Sequence, residues 1–346
     1  RVLRQLNHPK RIDQGKIMKI GKIPEATLKK VILEQLGAKR DEVLIGPGIG
    51  EDCAALKLEE GEVFVLSTDP ITGAAKEAGR LAVHITANDL ISSGAEPVGL
   101  MLTVLLPPER KEKELRQLSA EVQEECLKLG IAVIGGHTEV TDAVRQPLIS
   151  VTGVGRVKEE ELVSTRGAKP GQDIVVTKYI GLEGTGIIAR EQEQLLKERF
   201  PEEFLDEAKA CLEQVSVVPE GKIARKYASS MHDITEGGIY GALWEVAQAS
   251  GVGLEVSIED IPVRQHTIEL CEFFDLNPYQ LISSGSMLIV TDHGNALVRE
   301  LEREGIKATV IGRTTDSNDK IIYRQGKAAS LEAPKQDELY KIGERS

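Results

Sequence analysis

Strand-like and helix-like segments alternate irregularly along this chain, and a Gly-, Lys- and Pro-rich break near Ser164–Gly171 divides them into two series. Apolar residues at helical spacing predict a helix over Glu109–Leu129, whereas a β-rich run predicts a strand over Val98–Leu106. Irregular alternation favours an α+β fold over a doubly wound sheet. Because 346 residues suffice for two domains, we predict an N-terminal domain over 18–160 and a C-terminal domain over 165–335.

The two ends of the chain differ from these patterned regions. Residues 1–17 are basic and lack apolar periodicity, whereas Met18 begins a well-patterned segment. We therefore expect 1–17 to be a flexible N-terminal extension that is not native to the domain. Residues 336–346 are predominantly polar, and we expect them to form a loosely held tail.

Charge and cysteine usage narrow the class of protein. The net charge of -12 argues against nucleic acid or an anionic membrane as the main partner. The most apolar stretch, Pro97–Pro108, is too short to span a bilayer. The four cysteines are far apart in sequence and form no CxxC pattern, which predicts reduced, mostly buried thiols in a cytoplasmic protein.

Four acidic or polar motifs lie beside apolar runs in the first half, and we predict a turn at each. They are Gly48–Asp52, Ser67–Asp69, Ala87–Leu90 and Gly135–Glu139. Carboxylates brought together are costly unless a cation neutralises them, and Mg²⁺ is the hard cation that accompanies phosphates. Since the sequence contains no GxxxxGK[ST] motif, the motifs predict a magnesium and ATP site built without a standard nucleotide-binding loop.

Each acidic residue also has a plainer explanation. Asp52 can be a turn residue, and Asp69 can form an Asx-turn before Pro70. Asp89 is the strongest candidate, because it lies in a mostly apolar predicted helix, Glu77–Ser93, where a carboxylate needs a partner. The glycines of the first motif can present backbone N–H groups to a phosphate or simply form a tight hairpin.

Histidine and helix-start motifs supply further candidates. His137 can bond a phosphate, act as an acid or base, or be held by local hydrogen bonds in its turn. In the second half, His232–Gly238 precedes a predicted helix, and either Asp233 or Thr235 can cap it. The N–H groups at such a helix start favour an anion, although an ordinary capped helix has the same pattern.

Taken in order, these segments resemble the AIR synthase-related superfamily over about residues 20–315. That superfamily includes aminoimidazole ribonucleotide synthetase, thiamine-monophosphate kinase, selenophosphate synthetase and the hydrogenase maturation factor HypE. The resemblance is carried by Gly50–Ala54, Ser67–Asp69, Leu81–Pro97, Gly135–Thr138 and His232–Gly238. The overall pattern is most similar to HypE-like proteins.

The resemblance implies a PurM-like fold of two domains, in which the N-terminal domain contributes strands to a β-barrel shared by a homodimer. It also implies ATP and Mg²⁺ as cofactors. The implied metal ligands are Asp52, Asp69 and Asp89; the implied cofactor-binding residues are Gly48, Gly50, Thr68, Asn88, Thr138, Thr235 and Gly237; and the implied catalytic residues are His137, Asp233 and Glu236.

The sequence departs from individual members of the superfamily. HypE proteins carry their reacting cysteine in a C-terminal tail, whereas the last cysteine here is Cys271. Selenophosphate synthetases carry a reactive cysteine before the glycine turn, and no cysteine precedes Cys53. Thiamine-monophosphate kinases have an aspartate where His137 stands. We therefore do not expect carbamoyl transfer to a terminal cysteine.

These observations predict an enzyme that transfers the γ-phosphoryl group of ATP to an oxygen of a small acceptor, such as a carboxamide or a phosphate. One alternative is a small-molecule kinase similar to thiamine-monophosphate kinase. Another is a nucleotide-binding protein without turnover, which assists a partner protein during enzyme maturation. A plain scaffold leaves Asp89 and the His232 motif unexplained.

Overall fold

The computed structural model of this chain describes residues 19–48, 53–71 and 77–343. The strands are β1 Gly21–Lys22, β2 Val43–Ile45, β3 Ala55–Leu56, β4 Glu62–Ile71, β5 Glu96–Leu106, β6 Ala132–Val140, β7 Leu148–Lys158, β8 Asp173–Thr177, β9 Ser230–Ile234, β10 Gly253–Ser257, β11 Ser286–Thr291, β12 Ala308–Thr315, β13 Lys320–Arg324 and β14 Lys327–Ser330. The helices are α1 Glu25–Val31, α2 Ala78–Ser92, α3 Glu112–Leu129, α4 Leu182–Glu191, α5 Glu193–Leu196, α6 Glu202–Lys209, α7 Val218–Ala224, α8 Gly238–Ser250, α9 Gln265–Phe274, α10 Gly294–Arg303 and α11 Tyr340–Gly343. Among the described residues, no helix combines the length and the hydropathy that crossing a bilayer requires.

The N-terminal half is a five-stranded sheet in the order β1-β6-β5-β7-β4, and its strands are covered on one face by α2 and α3. Leu100, Leu102 and Val104 of β5 alternate toward these helices and are buried. Helix α3 ends at Gly130, whose φ of 68° is readily adopted by glycine. This layer therefore holds the chain segments that carry Asp69 and Asp89 against each other.

The opposite face of this sheet is only partly covered. The small hairpin of β2 and β3 packs against Ala132, Ile134 and Val154. Farther along the same face, large apolar side chains are open to solvent: Phe64 is 44% exposed, Leu66 66% and Met101 41%. An apolar sheet face of this kind is a common place for association with another chain.

The C-terminal half is a seven-stranded sheet in the order β14-β13-β10-β12-β8-β11-β9. Its central strands are buried on both faces, which explains continuous apolar runs such as Ile174–Val176 and Met287–Val290. Helix α8 packs on one face, and α7 and α10 pack on the other. The structure thus contains two mixed α and β halves, which confirms the predicted α+β class.

Helix α2 joins the two halves. Ile91 of this helix shares one continuous apolar core with Val217 and Met231 of the C-terminal half. Helix α7 comes so close that a Cβ added at Gly221 would lie 2.4 Å from Ile91 Cγ1. The halves are therefore packed together through side chains that face α2, and α2 carries Asp89 into their junction.

Several predicted turns are regular structure instead. Ser67–Asp69 lies within β4, Gly135–Glu139 lies within β6, and Ala87–Leu90 lies within α2. Polar and glycine residues favour turns locally, but pairing with neighbouring strands outweighs that preference. Gly136 has a φ of 149°, and a Cβ there would come within 2.1 Å of Leu102 O, so the strand requires glycine at this position.

The short strand β3 pairs with β2, whereas β4 pairs with β7. One other expectation was wrong. The tail is not loosely held over its described part, because Asp337 is 1% exposed and Glu338 is 4% exposed. The prediction for the cysteines is confirmed in part, since Cys53 is exposed and the other three thiols are buried.

Candidate functional site

An acidic cluster lies where β4, α2 and β9 meet. The hydroxyl of Ser67 donates a short hydrogen bond to Asp89 Oδ2, and Ser67 Oγ also lies 3.4 Å from Asp69 Oδ2. Because side chains alternate along β4, Ser67 and Asp69 both point toward α2. The fold therefore brings together two of the three predicted metal ligands, while Asp52 lies outside the described residues.

The carboxyl of Asp89 is in an unfavourable place for a negative charge. Burial, the charge of Asp233 and a hydrogen bond with Asp69 raise its pKa to about 8, although the Ser67 hydroxyl partly offsets the rise. Without a cation, this group holds a proton at neutral pH. A divalent cation would displace that proton by supplying the missing positive charge.

Asp233 contributes a second acidic group from the C-terminal half. Its side chain is buried, its Oδ1 lies 3.4 Å from Ser92 Oγ, and its Oδ2 has no hydrogen-bond partner among the described residues. A buried carboxylate oxygen without a partner is costly unless a proton or a cation reaches it. Carboxylate oxygens such as those of Asp69, Asp89 and Asp233 are the ligand type that a hard cation prefers.

The described residues do not form a finished metal site. Over 19–48, 53–71 and 77–343, no three His, Cys, Asp or Glu side chains are arranged to hold a metal ion. Asp52 and Gly50, both predicted site residues, are in the undescribed segment between Gly48 and Cys53. The role of Asp52 as a ligand therefore stays a prediction.

His232 balances part of the negative charge beside Asp233. Its Nδ1 lies 3.8 Å from Asp233 Oδ1, and its Nε2 lies 2.8 Å from Glu245 Oε2. Burial works against the charged imidazole, but the interactions with the carboxylates of Asp233 and Glu245 outweigh it and raise the pKa to about 9. The ring is therefore cationic at neutral pH and places a positive charge beside the acidic cluster.

His137 and Thr138 lie at a different place, beside a cavity of about 150 Å³ between α1, α3 and β6. The cavity wall is mostly apolar, and its polar edge includes Gly48, Cys53 and these two residues. His137 is half exposed, and its Nε2 lies 3.2 Å from Glu139 Oε2. This is an apolar pocket with a few polar groups, the usual character of a small-molecule site.

Strand pairing separates this pocket from the acidic cluster. Asp69 of β4 pairs with Val151 of β7, Val151 pairs with Leu102 of β5, and Leu102 pairs with Gly136 of β6. Strand β6 is therefore three strands away from β4. With neighbouring strands about 4.8 Å apart, the separation is about 14 Å. His137 follows Gly136 and points to the opposite face, so the chain does not bring His137 to Asp89.

Thr68 also points away from the acidic cluster. Its hydroxyl oxygen lies 3.1 Å from Thr152 Oγ1 on the open face of the sheet, next to Leu66 and Met101. Asn88, in contrast, is completely buried, and its amide bonds to the backbone of residues 215 and 217. Neither side chain is free to point toward Asp89, although both remain predicted cofactor-binding residues.

The helix-start motif of the C-terminal half is already occupied by the tail. The Gly237 N–H donates to Asp337 Oδ2 at 2.7 Å, and the Thr235 carbonyl accepts from Gly238 N at 3.1 Å. Glu236 is exposed, and its side chain bonds with Tyr340 of the tail. A carboxylate therefore sits where the sequence predicts that Gly237 meets an external anion.

Sequence reasoning missed Glu183 of α4. This side chain is fully buried, and its Oε2 has no hydrogen-bond partner among the described residues. Burial raises its pKa to about 7, with smaller contributions from the charges of Asp337 and Asp233, while Ser284 lowers it. A signal was available, because a lone acid stands among small and apolar residues in Gly181–Ala189.

Comparison with known proteins agrees with this architecture. The profile for AIR synthase related protein, N-terminal domain, matches residues 50–157, and the profile for the C-terminal domain of the same family matches residues 169–324. Together these two matches cover most of the chain. The chain belongs to the AIR synthase related proteins.

Particular relatives include maturation proteins. A putative hydrogenase expression/formation protein of Methanocaldococcus jannaschii is 27% identical over 316 residues, which cover 87% of this chain and 90% of that protein. The carbamoyl dehydratase HypE of Rhodobacter capsulatus is 26% identical, over 74% of this chain and 76% of its own length.

A solved structure of a hydrogenase maturation protein HypE in complex with ATP shares this fold. Its TM-score is 0.78 at 22% identity, covering 92% of this chain and 96% of that one. At this level of identity, the likeness concerns the fold. It agrees with the PurM-like arrangement of two halves that the sequence predicts.

Proposed function

We propose that this protein is a Mg²⁺- and ATP-dependent enzyme that transfers the γ-phosphoryl group to an oxygen of a small acceptor. The observation that carries the proposal is the cluster of Asp69, Asp89 and Asp233, in which burial and the neighbouring acids raise the pKa of Asp89 to about 8 and Asp233 Oδ2 has no hydrogen-bond partner among the described residues. Membership of the AIR synthase related proteins and the named activity of the HypE relative support it.

Asp69 and Asp89, together with Asp52, would hold Mg²⁺ from the N-terminal half. The ion supplies positive charge to the phosphates as negative charge shifts during transfer. The protein's own contribution is to preorganise these two carboxylates, because Ser67 fixes Asp89 beside Asp69. Asp233 and Glu236 would face the acceptor from the C-terminal half.

The nucleoside end of ATP would use the cavity beside Gly48. Its apolar wall suits a planar base, while Thr138 and the backbone of the glycine strand supply polar contacts at its edge. The separation of about 14 Å between β4 and β6 is in the range that an extended nucleotide spans. His137 would contact the ligand from the open face of the sheet.

That open face would be covered by a second copy of the chain. Exposed Phe64, Leu66 and Met101 form an apolar surface on the strands that the resemblance places in a shared β-barrel. Thr68 and His137 point to the same face. A homodimer would therefore bury these side chains and complete the surroundings of His137.

The activity is tested by following phosphate release and ³¹P spectra of Mg²⁺-ATP, alone and with carboxamides or phosphate monoesters. We expect turnover by the wild type that Asp89→Asn abolishes. The matched control is Asp173→Asn, which removes a carboxylate paired with exposed Arg313 on β12 of the C-terminal sheet. Equal turnover in Asp89→Asn and the wild type would contradict the proposed site.

The alternative is a nucleotide-binding maturation protein without turnover, which the hydrogenase expression/formation relative favours. The same assay separates the two. Tight Mg²⁺-dependent binding of ATP with no phosphate release under any acceptor would support this alternative.

A further inference from the structure

Helix α2 directs one row of buried polar side chains toward the C-terminal half. Asn88 and Ser92 are one turn apart in this row, and the Ser92 hydroxyl donates to the backbone carbonyl of Asn88 at 2.8 Å. The same hydroxyl oxygen lies 3.4 Å from Asp233 Oδ1. Asp89 is the immediate neighbour of Asn88, so this row fixes how Asp89 is placed relative to Asp233.

Both ends of the Asn88 amide are committed to the other half. Its Nδ2 donates to the Val215 carbonyl at 2.8 Å, and its Oδ1 accepts from the Val217 N–H at 2.8 Å. The side chain is completely buried. The amide keeps a second N–H and a second lone pair, but complete burial leaves neither of them accessible to a nucleotide.

The segment that Asn88 holds is anchored from its other side as well. Lys178, at the end of β8, donates from Nζ to the Ser216 carbonyl at 2.5 Å and pairs with buried Glu220 at 2.7 Å. Residues 215–217 therefore form a bridge between α2 and the C-terminal sheet. Fixing this bridge fixes the relative position of the two halves at the acidic cluster.

We propose that Asn88 is a positioning residue, a clamp that sets the spacing between Asp89 of the N-terminal half and Asp233 of the C-terminal half. This inference rests on the proposed function and replaces the expected role of Asn88 as a cofactor contact. Nucleotide is held by the N-terminal half, whereas transfer requires the acceptor side to be aligned with it. Loss of the clamp therefore affects the transfer step and leaves nucleotide binding in place.

The test compares Asn88→Ala with Gln172→Ala. Gln172 is an equally buried amide that bonds to Ser229 and Asp292 at 2.7 and 3.0 Å. Gln172 directly precedes Asp173, which pairs with Thr291 at the last residue of β11, whereas Asp233 pairs with Met287 near the first residue of β11. Gln172 therefore lies at the end of the C-terminal sheet that is remote from Asp233. Both variants remove one hydrogen-bonded buried amide, so both report the cost of its loss to stability.

For Asn88→Ala, we expect kcat for phosphate release to fall about tenfold or more while KM for Mg²⁺-ATP changes less than about threefold. Gln172→Ala should keep both constants. A raised KM with unchanged kcat would make Asn88 a nucleotide contact and overturn the clamp. Unchanged kcat and KM would overturn it too, because a merely structural amide gives that result.

Hydrogen exchange at Val217 tests the clamp independently of activity. We expect faster exchange of this amide in Asn88→Ala but not in Gln172→Ala, and unchanged exchange would refute the clamp. If Asn88→Ala does not fold, Asn88→Asp keeps the acceptor for Val217 N–H and loses the donor to Val215, so the kinetic comparison is made with it. A wild type that neither binds nor hydrolyses ATP would contradict only the proposed function. Hydrogen exchange at Val217 would still show whether Asn88 holds residues 215–217.

Discussion

At the scale of single residues, the site is governed by the cost of burying charge. Asp89 and Glu183 both have raised pKa values, because burial is the largest influence on each and neighbouring carboxylates add to it. His232 has a pKa of about 9, since its two acidic partners outweigh its burial. At neutral pH, burial therefore favours the protonated form of these acids, whereas acidic partners keep a positive charge on the imidazole.

Glu183 gives a direct pH test. Its folded pKa of about 7 exceeds the usual value of 4.5, so the unfolded chain releases this proton first as the pH rises. The wild type should lose about 3 kcal/mol relative to Glu183→Gln between pH 4.5 and 7.5. Denaturant unfolding of both proteins across this range measures the difference. A gap that does not change with pH would show that Glu183 is not buried as a protonated acid.

Much of this chemistry was visible in the sequence, but its partners were not. An acid inside an apolar helix singles out Asp89 without any structure. Ser67, which bonds to Asp89, and Ser92, which lies near Asp233, could not be found in that way. The first contact joins residues 22 positions apart and the second joins residues 141 positions apart. Asn88 was assigned to the nucleotide from the resemblance, and its bridge to residues 215 and 217 was missed because those contacts span 127 and 129 positions.

At the scale of secondary-structure elements, strand pairing determines which backbone conformation glycine and polar residues adopt. The motif Gly135–Glu139 predicts a turn locally, yet it lies in β6, where a backbone neighbour leaves no room for a Cβ at Gly136. Long helices such as α3 were predicted well, since their apolar periodicity does not depend on distant partners.

The tail can be tested as a structural element. Leu339 and Ile342 pack against the apolar group that contains Cys271, whose thiol is 1% exposed. Deleting residues 334–346 should expose this thiol and remove the Asp337 carboxylate from the Gly237 N–H. We expect Cys271 to react with a thiol reagent at least about tenfold faster, because the reaction of this thiol then no longer requires opening of the structure. Mass spectrometry identifies the labelled cysteine, and buried Cys126 serves as the internal control; equal rates before and after deletion would contradict the packing.

At the scale of the whole molecule, two halves share one interior around α2, while the outer face of the N-terminal sheet stays apolar and exposed. The shared interior keeps Asp89 and Asp233 together within one chain. We propose that a second chain covers the exposed face, because large apolar side chains of β4 and β5 line it. The sequence alone indicated such assembly only through its resemblance to the superfamily.

Leu66 offers the sharpest test of that assembly. It is 66% exposed in the single chain, so Leu66→Asp should cost the monomer little but place a charge in a dimer interface. We expect light scattering to show a dimer for the wild type and a monomer for this variant. Leu127→Asp, on the remote surface of α3 at 56% exposure, is the control. A monomeric wild type would contradict the proposed barrel.

The central claim is that the acidic cluster takes up ATP together with Mg²⁺. Calorimetric titration of ATP into the wild-type protein, with Mg²⁺ and with the metal chelated, tests it most directly. The account predicts binding in the micromolar range that depends on Mg²⁺ and is lost in Asp89→Asn. Binding that is equally strong without the metal, or no binding under either condition, would contradict it.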